Sequence, residues 1–297
     1  MAERIVVRSD EDNHVLFSVF KAYYPSNQEK GEKQYEHKHT ELEISYILRG
    51  NGKYNCCGVD YPFYPGSVFL HCGNDIHYFS DIEQEDGLAL LVMRFDSLFL
   101  WSPGGEWSDP QYPKLFKSGS SISRCIPDTA PASRVIGQLL NEIFDECSGH
   151  EPSYELMVKA KLMTILANMA RHFNSELSSE TELIASKKHL ERMEQSMKYI
   201  LSHLGDELTL NELAQRACMS RSYYSAIFKE LNGVSVWDYI ISQRVDIAKY
   251  KLETGDAPIT QICEESGFSS IGNFNRAFKK LTGKTPREYR NQIRHGG

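Results

Sequence analysis

The last third of the chain contains nearly the same pattern of residues twice, between positions 208 and 289. Phe228 of the first copy corresponds to Phe278, 50 residues later, whereas Ala214 corresponds to Cys263, 49 residues later. One residue is therefore inserted before the longer helix expected in the second copy. A repeat at a fixed period constrains the architecture strongly, because each copy has to form the same supersecondary unit. Two copies are too few for a solenoid, so the pattern predicts a tandem pair.

Each copy predicts a helix-turn-helix, with a short helix, a tight turn and a longer helix. Gly267 occupies the turn of the second copy and adopts a positive φ at low cost, whereas Cys218 takes its place in the first. Residues suited to begin a helix precede the four helices: Thr209, Ser220, Pro258 and Ser269. Apolar residues then recur at helical spacing along the longer helices: Tyr224, Ile227, Phe228 and Leu231, and Phe274, Ala277, Phe278 and Leu281.

The opposite side of each longer helix is small and polar, as a helix that enters the major groove of DNA requires. The predicted base-reading residues are Arg221, Ser222, Ser225, Asn275 and Arg276, and the predicted phosphate-binding residues are Lys229 and Lys279. One alternative is an ordinary helical hairpin with a solvated polar face. Two copies in register favour DNA binding over this alternative. For Arg276 a second interpretation is a structural ion pair with an acidic residue.

The repeat and its flanks resemble the signature of the AraC/XylS family of bacterial transcription regulators over the last third of the chain. The positions that carry the resemblance are Arg244, Ala248, Leu252, Ile259, Ile262, Gly267, Phe268, Phe274, Arg276, Phe278, Lys279, Gly283, Thr285, Pro286, Tyr289 and Arg290. The resemblance implies two helix-turn-helix units joined by a long helix over about 236–252, both reading one face of double-stranded DNA. It also implies RNA polymerase as a partner. Cys263 and Ala226 depart from the family pattern, in which alanine and arginine are usual.

Length and composition agree with a regulator of about two domains. The chain has 297 residues and a formal charge of −7, which argues against a globally basic nucleic-acid-binding surface. From Ser186 onward, however, 17 basic residues exceed 13 acidic ones, so the acidic excess lies in the first part. The seven cysteines include no CxxC pair, and the first twelve residues have no apolar segment. A cytoplasmic protein without a membrane partner is therefore expected.

The first half of the chain predicts an all-β barrel or sandwich. Short β-rich segments separated by turn residues occupy positions 15–20, 42–48, 52–55, 67–71 and 88–95. Within them, Gly31, His37, His39, Glu43 and Gly50 form the pattern G-x5-H-x-H-x3-E-x6-G, which resembles the first motif of the cupin barrels. Pro65-Gly66 followed by His77 resembles a relaxed second cupin motif.

The cupin resemblance implies a candidate metal cage of His37, His39, Glu43 and His77, a ligand set suited to a divalent transition metal. His37 and His39 would share one face of a strand. The alternative is a metal-free pocket in which the same residues and Tyr46 bind a small effector, with a sugar as the leading guess; no cofactor is then required. His71 is either a pocket residue or a polar strand end. We favour the metal-free pocket.

Amphipathic helical periodicity follows the β-rich half. The predicted fold class is α+β with two domains: a cupin-like effector-binding barrel at 1–128, a helical connector at 129–173 that can form a homodimer, a linker at 174–186, and an all-α DNA-binding domain at 187–297. The predicted function is a sequence-specific, effector-controlled transcription regulator without enzyme activity. The alternatives are a metal-dependent cupin enzyme, or a metal or redox sensor using the histidines or the Cys56-Cys57 pair, fused to a DNA-binding domain.

Overall fold

The computed structural model describes residues 4–8, 15–25, 34–83, 87–96, 115–116, 122–179 and 187–295. The chain divides into two compact units, one built largely from Leu16–Ile184 and the other largely from Ala185–Lys229 and Val234–Gly297. The first unit is rich in strands and the second is helical, which confirms the predicted fold class. In the described part of the chain, no helix combines the length and the apolar character needed to cross a membrane.

Two antiparallel sheets form the first unit. One has the strand order β1-β2-β9-β4-β7-β10 and the other the order β3-β8-β5-β6. The strand bounds are β1 Arg4–Arg8, β2 Val15–Tyr24, β3 Gln34–His37, β4 Leu42–Arg49, β5 Gly52–Cys56, β6 Val59–Phe63, β7 Val68–His71, β8 His77–Ile82, β9 Leu88–Phe95 and β10 Cys125–Ile126. The five predicted strands are β2, β4, β5, β7 and β9. The other five strands are short; β1, β6, β8 and β10 went unpredicted, and β3 was expected only as a strand that carries His37 and His39.

The larger sheet is buried on both faces because its side chains alternate between two cores. Leu88, Leu90 and Val92 of β9 lie in a cluster with Tyr54 and Phe79 of the smaller sheet. Leu91, Met93 and Phe95 belong to a second cluster, on the other face, with residues of the following helices. The period-two register therefore assigns each position of β4, β7 and β9 to the interior between the sheets or to the helical layer.

In the described part of this unit the helices are α1 Pro131–Gly149, α2 Tyr154–His172 and α3 Asn174–Ser179. The positions of α1 and α2 agree with the predicted amphipathic helices. The predicted linker at 174–186 is wrong in its first part, because α3 is helical and Leu177 is fully buried in the core. Glu176 also accepts a hydrogen bond of 2.8 Å from the Ser123 backbone N–H. Positions 180–186 lie outside the described residues.

The second unit contains both copies of the repeat. Its described helices are α4 Lys187–Ser202, α5 Leu210–Arg216, α6 Arg221–Asn232, α7 Val236–Thr254, α8 Ile259–Glu265, α9 Ile271–Thr282 and α10 Pro286–His295. Helices α5 and α6 form the first helix-turn-helix, α8 and α9 form the second, and α7 joins them, as expected. The apolar stripe is buried in the first copy. In the second copy Phe274 and Phe278 are buried, Ala277 is half-buried and Leu281 is 43% exposed.

The residue that caps the longer helix lies one position later in the second copy than the alignment of the two turns predicts. The hydroxyls of Thr209 and Ser220 accept backbone hydrogen bonds at the starts of α5 and α6, which confirms both predicted caps. The prediction of Ser269 is wrong: Ser270 caps α9 and accepts from the Asn273 N–H at 3.3 Å. The inserted residue of the second copy precedes this cap and displaces it. Cys218 has a φ of +52°, so the cysteine adopts the left-handed conformation of its glycine counterpart.

Arg244 of α7 ties the second unit together at the turn between α4 and α5. Its Nε donates to the Leu204 carbonyl at 2.8 Å, and one terminal nitrogen donates to the Asp206 carbonyl at 2.8 Å. The turn of the second helix-turn-helix packs on the same carbonyl, because Gly267 lies against Leu204. The long helix therefore holds both repeats against one backbone segment.

Candidate functional site

Polar side chains converge in the interior between the two sheets, around the buried carboxylate of Glu43. Arg94 donates from Nε to Glu43 Oε2 at 2.6 Å, and Ser45 donates to Oε1 at 2.6 Å. His39 Nε2 lies 2.9 Å from Oε2 but without the alignment of a hydrogen bond. Strand register explains the convergence, because Glu43 of β4 is paired directly with Arg94 of β9 and with His71 of β7. Glu43 is thus the centre of the site.

Three histidines at the site are held in the same tautomer by backbone carbonyls. Nδ1 of His37, His39 and His77 lies 2.7, 3.0 and 2.9 Å from the carbonyl oxygens of Tyr35, Glu41 and Asp75 respectively. A carbonyl oxygen only accepts, so each Nδ1 must carry the proton. In the neutral ring each Nε2 is then an unprotonated acceptor. His37 and His77 face each other through these nitrogens, 3.0 Å apart.

Burial keeps two of these rings neutral. It lowers the pKa of His37, and it lowers the pKa of His77 to about 3. For Glu43, burial alone would raise the pKa, but Arg94 and then His39 outweigh it and hold the pKa well below its ordinary value. At neutral pH the site therefore holds one carboxylate, one guanidinium and imidazole nitrogens that need a hydrogen-bond donor or a cation.

Two further residues belong to the site. Arg94 was missed in the sequence analysis, and His71 was left undecided. Arg94 also donates to His37 Nε2 at 3.0 Å, so its guanidinium bridges the carboxylate and one imidazole. His71 is fully buried, accepts or donates at 3.0 Å with the Tyr54 hydroxyl, and stacks on His77 at 4.2 Å between ring centroids. The signal for Arg94 was present, since it is the single charged residue of the apolar strand β9.

Two predictions about the site need correction. Tyr46 does not reach it: Glu43 and Tyr46 are three residues apart on β4, so they point to opposite faces, and the Tyr46 ring packs against Gly137 of α1. His39 is at the site, but not because it shares a strand with His37, since β3 ends at His37. His39 lies instead in the connection after β3, where its own backbone carbonyl accepts from the Asn74 N–H at 2.7 Å. Gly31 of the motif lies outside the described residues.

The residues of the predicted cage fit a divalent metal by their chemistry. His37, His39, Glu43 and His77 each offer one ligand atom, and these atoms lie within 4.8 Å of one another. The carbonyl contacts on Nδ1 resemble the outer-shell interactions that orient metal-binding histidines. Arg94 competes for the same place, however, because it already neutralises Glu43. A metal bound here would share the Glu43 carboxylate with the guanidinium or displace it.

The predicted DNA-reading residues lie on the sides of α6 and α9 away from the cores. Arg221, Ser222, Asn275 and Arg276 are exposed, and Ser225 is half-buried. Both lysines predicted to bind phosphate, Lys229 and Lys279, are exposed as well. Among the residues that the structure describes, Arg276 forms no ion pair, which removes the structural interpretation of this arginine within that part of the chain. Each repeat thus presents a polar ridge to solvent.

A double-sheet unit with a polar interior, followed along the chain by two helix-turn-helix units, defines a transcription regulator with a ligand-binding domain. Comparison with known families agrees. An AraC-like ligand binding domain matches residues 24–166, and a helix-turn-helix domain matches residues 213–292. The chain belongs to the AraC family of transcription regulators.

Named regulators align with most of this chain. The Msm operon regulatory protein of Streptococcus mutans is 27% identical over 252 residues, covering 85% of this chain and 84% of the relative. The arabinose operon regulatory protein of Escherichia coli K12 is 25% identical over 83% of this chain and 79% of its own length. Among solved structures, ToxT of Vibrio cholerae with an unsaturated fatty acid bound matches at a TM-score of 0.57, with 18% identity over 95% of this chain and 97% of its own. The ToxT likeness is one of fold.

Proposed function

We propose that this regulator is controlled by a small neutral effector that carries several hydrogen-bond donors, such as the hydroxyl groups of a sugar. The observation that carries the proposal is the excess of acceptors around Glu43. Among the described residues Nε2 of His77 meets only Nε2 of His37, 3.0 Å away, and the carboxylate has room for further donors. Buried acceptors without partners cost free energy, so a ligand that satisfies them is favoured. An arabinose operon regulator among the relatives supports a sugar.

The same arrangement disfavours an anionic effector. A carboxylate ligand would meet Glu43 and unprotonated imidazole nitrogens, and Arg94, the one cation of the site among the described residues, is already bound to Glu43. Replacing that pairing would leave one carboxylate buried without a counter-charge, which is costly. Two residues of the site, His37 and Arg94, are only partly buried. We therefore expect neutral polyols to bind and sugar acids to bind poorly or not at all.

His39→Ala tests this assignment, because the His39 ring lies at the site with Nε2 2.9 Å from Glu43 Oε2. The substitution removes one polar group that a ligand can contact, and the affinity for an active polyol should fall about 10-fold to 100-fold. Isothermal titration of the full-length protein against neutral sugars and their acids measures this. His172→Ala, an exposed histidine of α2, is the control and should bind as the wild type. Equal affinity in both variants, or preference for the acids, would contradict the proposal.

A divalent transition metal is the second candidate for the site, favoured by the three unprotonated Nε2 atoms that converge with Glu43. Here His37, His39, His77 and Glu43 would be the ligands, and the ion itself or an ion-bound molecule would be the effector. Titration of chelator-treated protein with Mn²⁺ or Zn²⁺ distinguishes the candidates. Sugar binding that survives metal removal supports the first candidate, and binding that requires the added ion supports the second.

For DNA, we propose that Asn275 and Arg276 contribute most base contacts, with Arg221, Ser222 and Ser225 reading a second element about one helical turn, roughly 10 bp, away. Lys229 and Lys279 would bind phosphate. The exposure of these side chains on two repeated helices supports the assignment. The protein would act in the cytoplasm as a homodimer with RNA polymerase as a partner and without enzyme activity, as in the family that the sequence resembles.

Asn275→Ala should weaken binding to a specific operator about 5-fold to 100-fold, since a good bidentate base contact is worth about 1–3 kcal/mol. Lys279→Ala should instead weaken binding to all sequences and make it less dependent on salt. Fluorescence anisotropy with operator and random duplexes at several salt concentrations separates the two effects. Arg171→Ala, an exposed change in α2, is the matched control. If Asn275→Ala leaves the ratio of specific to random affinity unchanged, Asn275 is not a base-reading residue.

A further inference from the structure

A second cluster of potential ligands lies in the β-rich unit, apart from the histidine cage. Cys56 ends β5, Cys57 follows in the turn to β6, and Asp75 lies in the connection between β7 and β8. The two sulfur atoms and a carboxylate oxygen of Asp75 lie within 4.8 Å of one another. None of these three residues takes part in the proposed effector or DNA contacts. The cluster therefore requires its own explanation.

The two thiols converge only because Cys57 adopts an unusual backbone conformation. Adjacent residues of a regular strand point to opposite faces, which would separate the side chains of Cys56 and Cys57. Cys57 and Gly58 form a two-residue hairpin turn, with φ values of +53° and +84°, while Cys56 pairs with Val59. Positive φ at both central residues is the requirement of a type I′ turn, in which asparagine, aspartate or glycine is favoured. A cysteine in the first position costs conformational energy and brings a second thiol to the cluster.

Neighbouring groups fix the position of the Asp75 carboxylate and leave it able to bind a metal ion. It is buried, and its Oδ2 accepts from the Cys72 N–H at 2.9 Å and lies 3.5 Å from Arg124 Nε. The Cys57 thiol also lies within hydrogen-bond reach of Asp75. Cys57 itself is exposed, so an ion can reach the cluster from solvent. A carboxylate fixed beside two thiols contributes a third ligand, whereas it has no role in a disulfide.

We propose that Cys56, Cys57 and Asp75 form a binding site for a thiophilic divalent metal ion of the Zn²⁺ type. Two thiolates and one carboxylate are ligands that Zn²⁺ accepts in tetrahedral sites, with a water in the fourth position. The charges also balance: the three ligands carry three negative charges, which one divalent ion and the Arg124 guanidinium neutralise. Sulfur ligands distinguish this site from the nitrogen and oxygen ligands around Glu43.

Metal binding by Cys56, Cys57 and Asp75 would change the effector site through His71. The Cys56 sulfur lies 3.5 Å from His71 Nδ1, and His71 Nε2 lies 3.0 Å from the Tyr54 hydroxyl. A metal-bound thiolate can only accept, so it fixes the proton of His71 on Nδ1. Nε2 is then restricted to accepting from the Tyr54 hydroxyl, in the plane of a ring whose face stacks on His77. The ion would thereby set the hydrogen-bond state of one wall of the site.

Cadmium is a suitable probe, because thiolate ligation to Cd²⁺ gives a charge-transfer band in the ultraviolet that histidine and carboxylate ligands do not give. The full-length protein, freed of metal with a chelator, is titrated with Cd²⁺ and then with competing Zn²⁺. We expect a saturable band that Zn²⁺ removes. Cys57→Asn should abolish most of the band and weaken the affinity by at least about 10-fold, while asparagine suits the type I′ turn and preserves folding.

Cys218→Asn is the matched control, since Cys218 is also exposed and has a φ of +52°, but lies in the helix-turn-helix unit. It should keep the full band, and so should His39→Ala, which changes only the histidine cage. Asp75→Asn should keep the thiolate band at lower affinity. The proposal is overturned if wild type gives no saturable band, or if the band in Cys57→Asn matches that of the wild type while the variant is folded by circular dichroism.

Discussion

Replacing Gly267 by alanine should destabilise the DNA-binding unit by about 3 kcal/mol or more, through steric overlap and backbone strain together. Gly267 has a φ of +80°, and an added Cβ would lie 1.9 Å from the Leu204 carbonyl oxygen and 2.8 Å from Arg244 Nε. The carbonyl belongs to the backbone, so the clash can be relieved only by moving the turn or by breaking the Arg244 hydrogen bond. Urea unfolding of the full-length protein, followed by circular dichroism, and operator binding measure the effect.

Gly283→Ala separates strain from overlap. Gly283 has a similar φ of +75°, but an added Cβ would meet nothing within 4 Å. This variant should therefore lose only about 1–2 kcal/mol, the cost of the left-handed conformation for a residue with a Cβ. If both variants lost the same stability, the contact with Leu204 would contribute nothing and the interpretation of the Gly267 turn would be wrong.

Replacing Arg94 by methionine should lower the stability of the β-rich unit by about 3–5 kcal/mol at neutral pH, because it leaves the Glu43 carboxylate buried without a counter-charge. Methionine retains much of the volume, so the loss reports mainly on charge. Glu43 has a pKa well below its ordinary value in the folded protein, so its stabilising contribution is present above the ordinary pKa and lost as the pH falls through the folded value. In the variant, burial without Arg94 raises the pKa of Glu43, so the difference in stability between wild type and variant should shrink as the pH falls from 7 to 4.

A double-mutant cycle makes this prediction specific to the pair. The double variant Arg94→Met/Glu43→Gln removes both charges, and it should recover most of the stability lost in Arg94→Met. Chemical unfolding at pH 7 and at pH 4 provides the comparison. A double variant that is as unstable as Arg94→Met would mean that Arg94 acts through its packing on Phe20, 5.4 Å from the ring centroid, rather than through Glu43.

The DNA-binding unit was predictable from sequence because its information is local. Helical spacing, caps and the repeat itself identify α5, α6, α8 and α9. The misplaced cap at Ser269 follows from applying the offset of 49 residues on the wrong side of the insertion. With the offset of 50 residues that holds for the longer helices, Ser220 corresponds to Ser270, the residue that caps α9. The error was therefore one of alignment and was avoidable.

The barrel site was only partly predictable, because strand pairing is not local. The parity of β4 could have excluded Tyr46, which lies an odd number of residues from Glu43. The pairing of Glu43 with Arg94 and His71 depends on the register of three strands. The sequence of each single strand does not determine that register. Some strands also lack a hydrophobic signal. β6 contains Pro62 and lies at the edge of its sheet, where a missing N–H is tolerated.

Strand β4 presents Glu43 and Ser45 to the interior between the two sheets and Ile44 and Tyr46 to the helical layer. The Tyr46 ring occupies the space beside Gly137 so closely that a Cβ there would come within 2.3 Å of it. Rigid neighbours of this kind cannot absorb a displacement of the strand. If an effector shifts Glu43, helix α1 has to shift with Tyr46. Effector binding between the sheets would then change the surface that α1 presents.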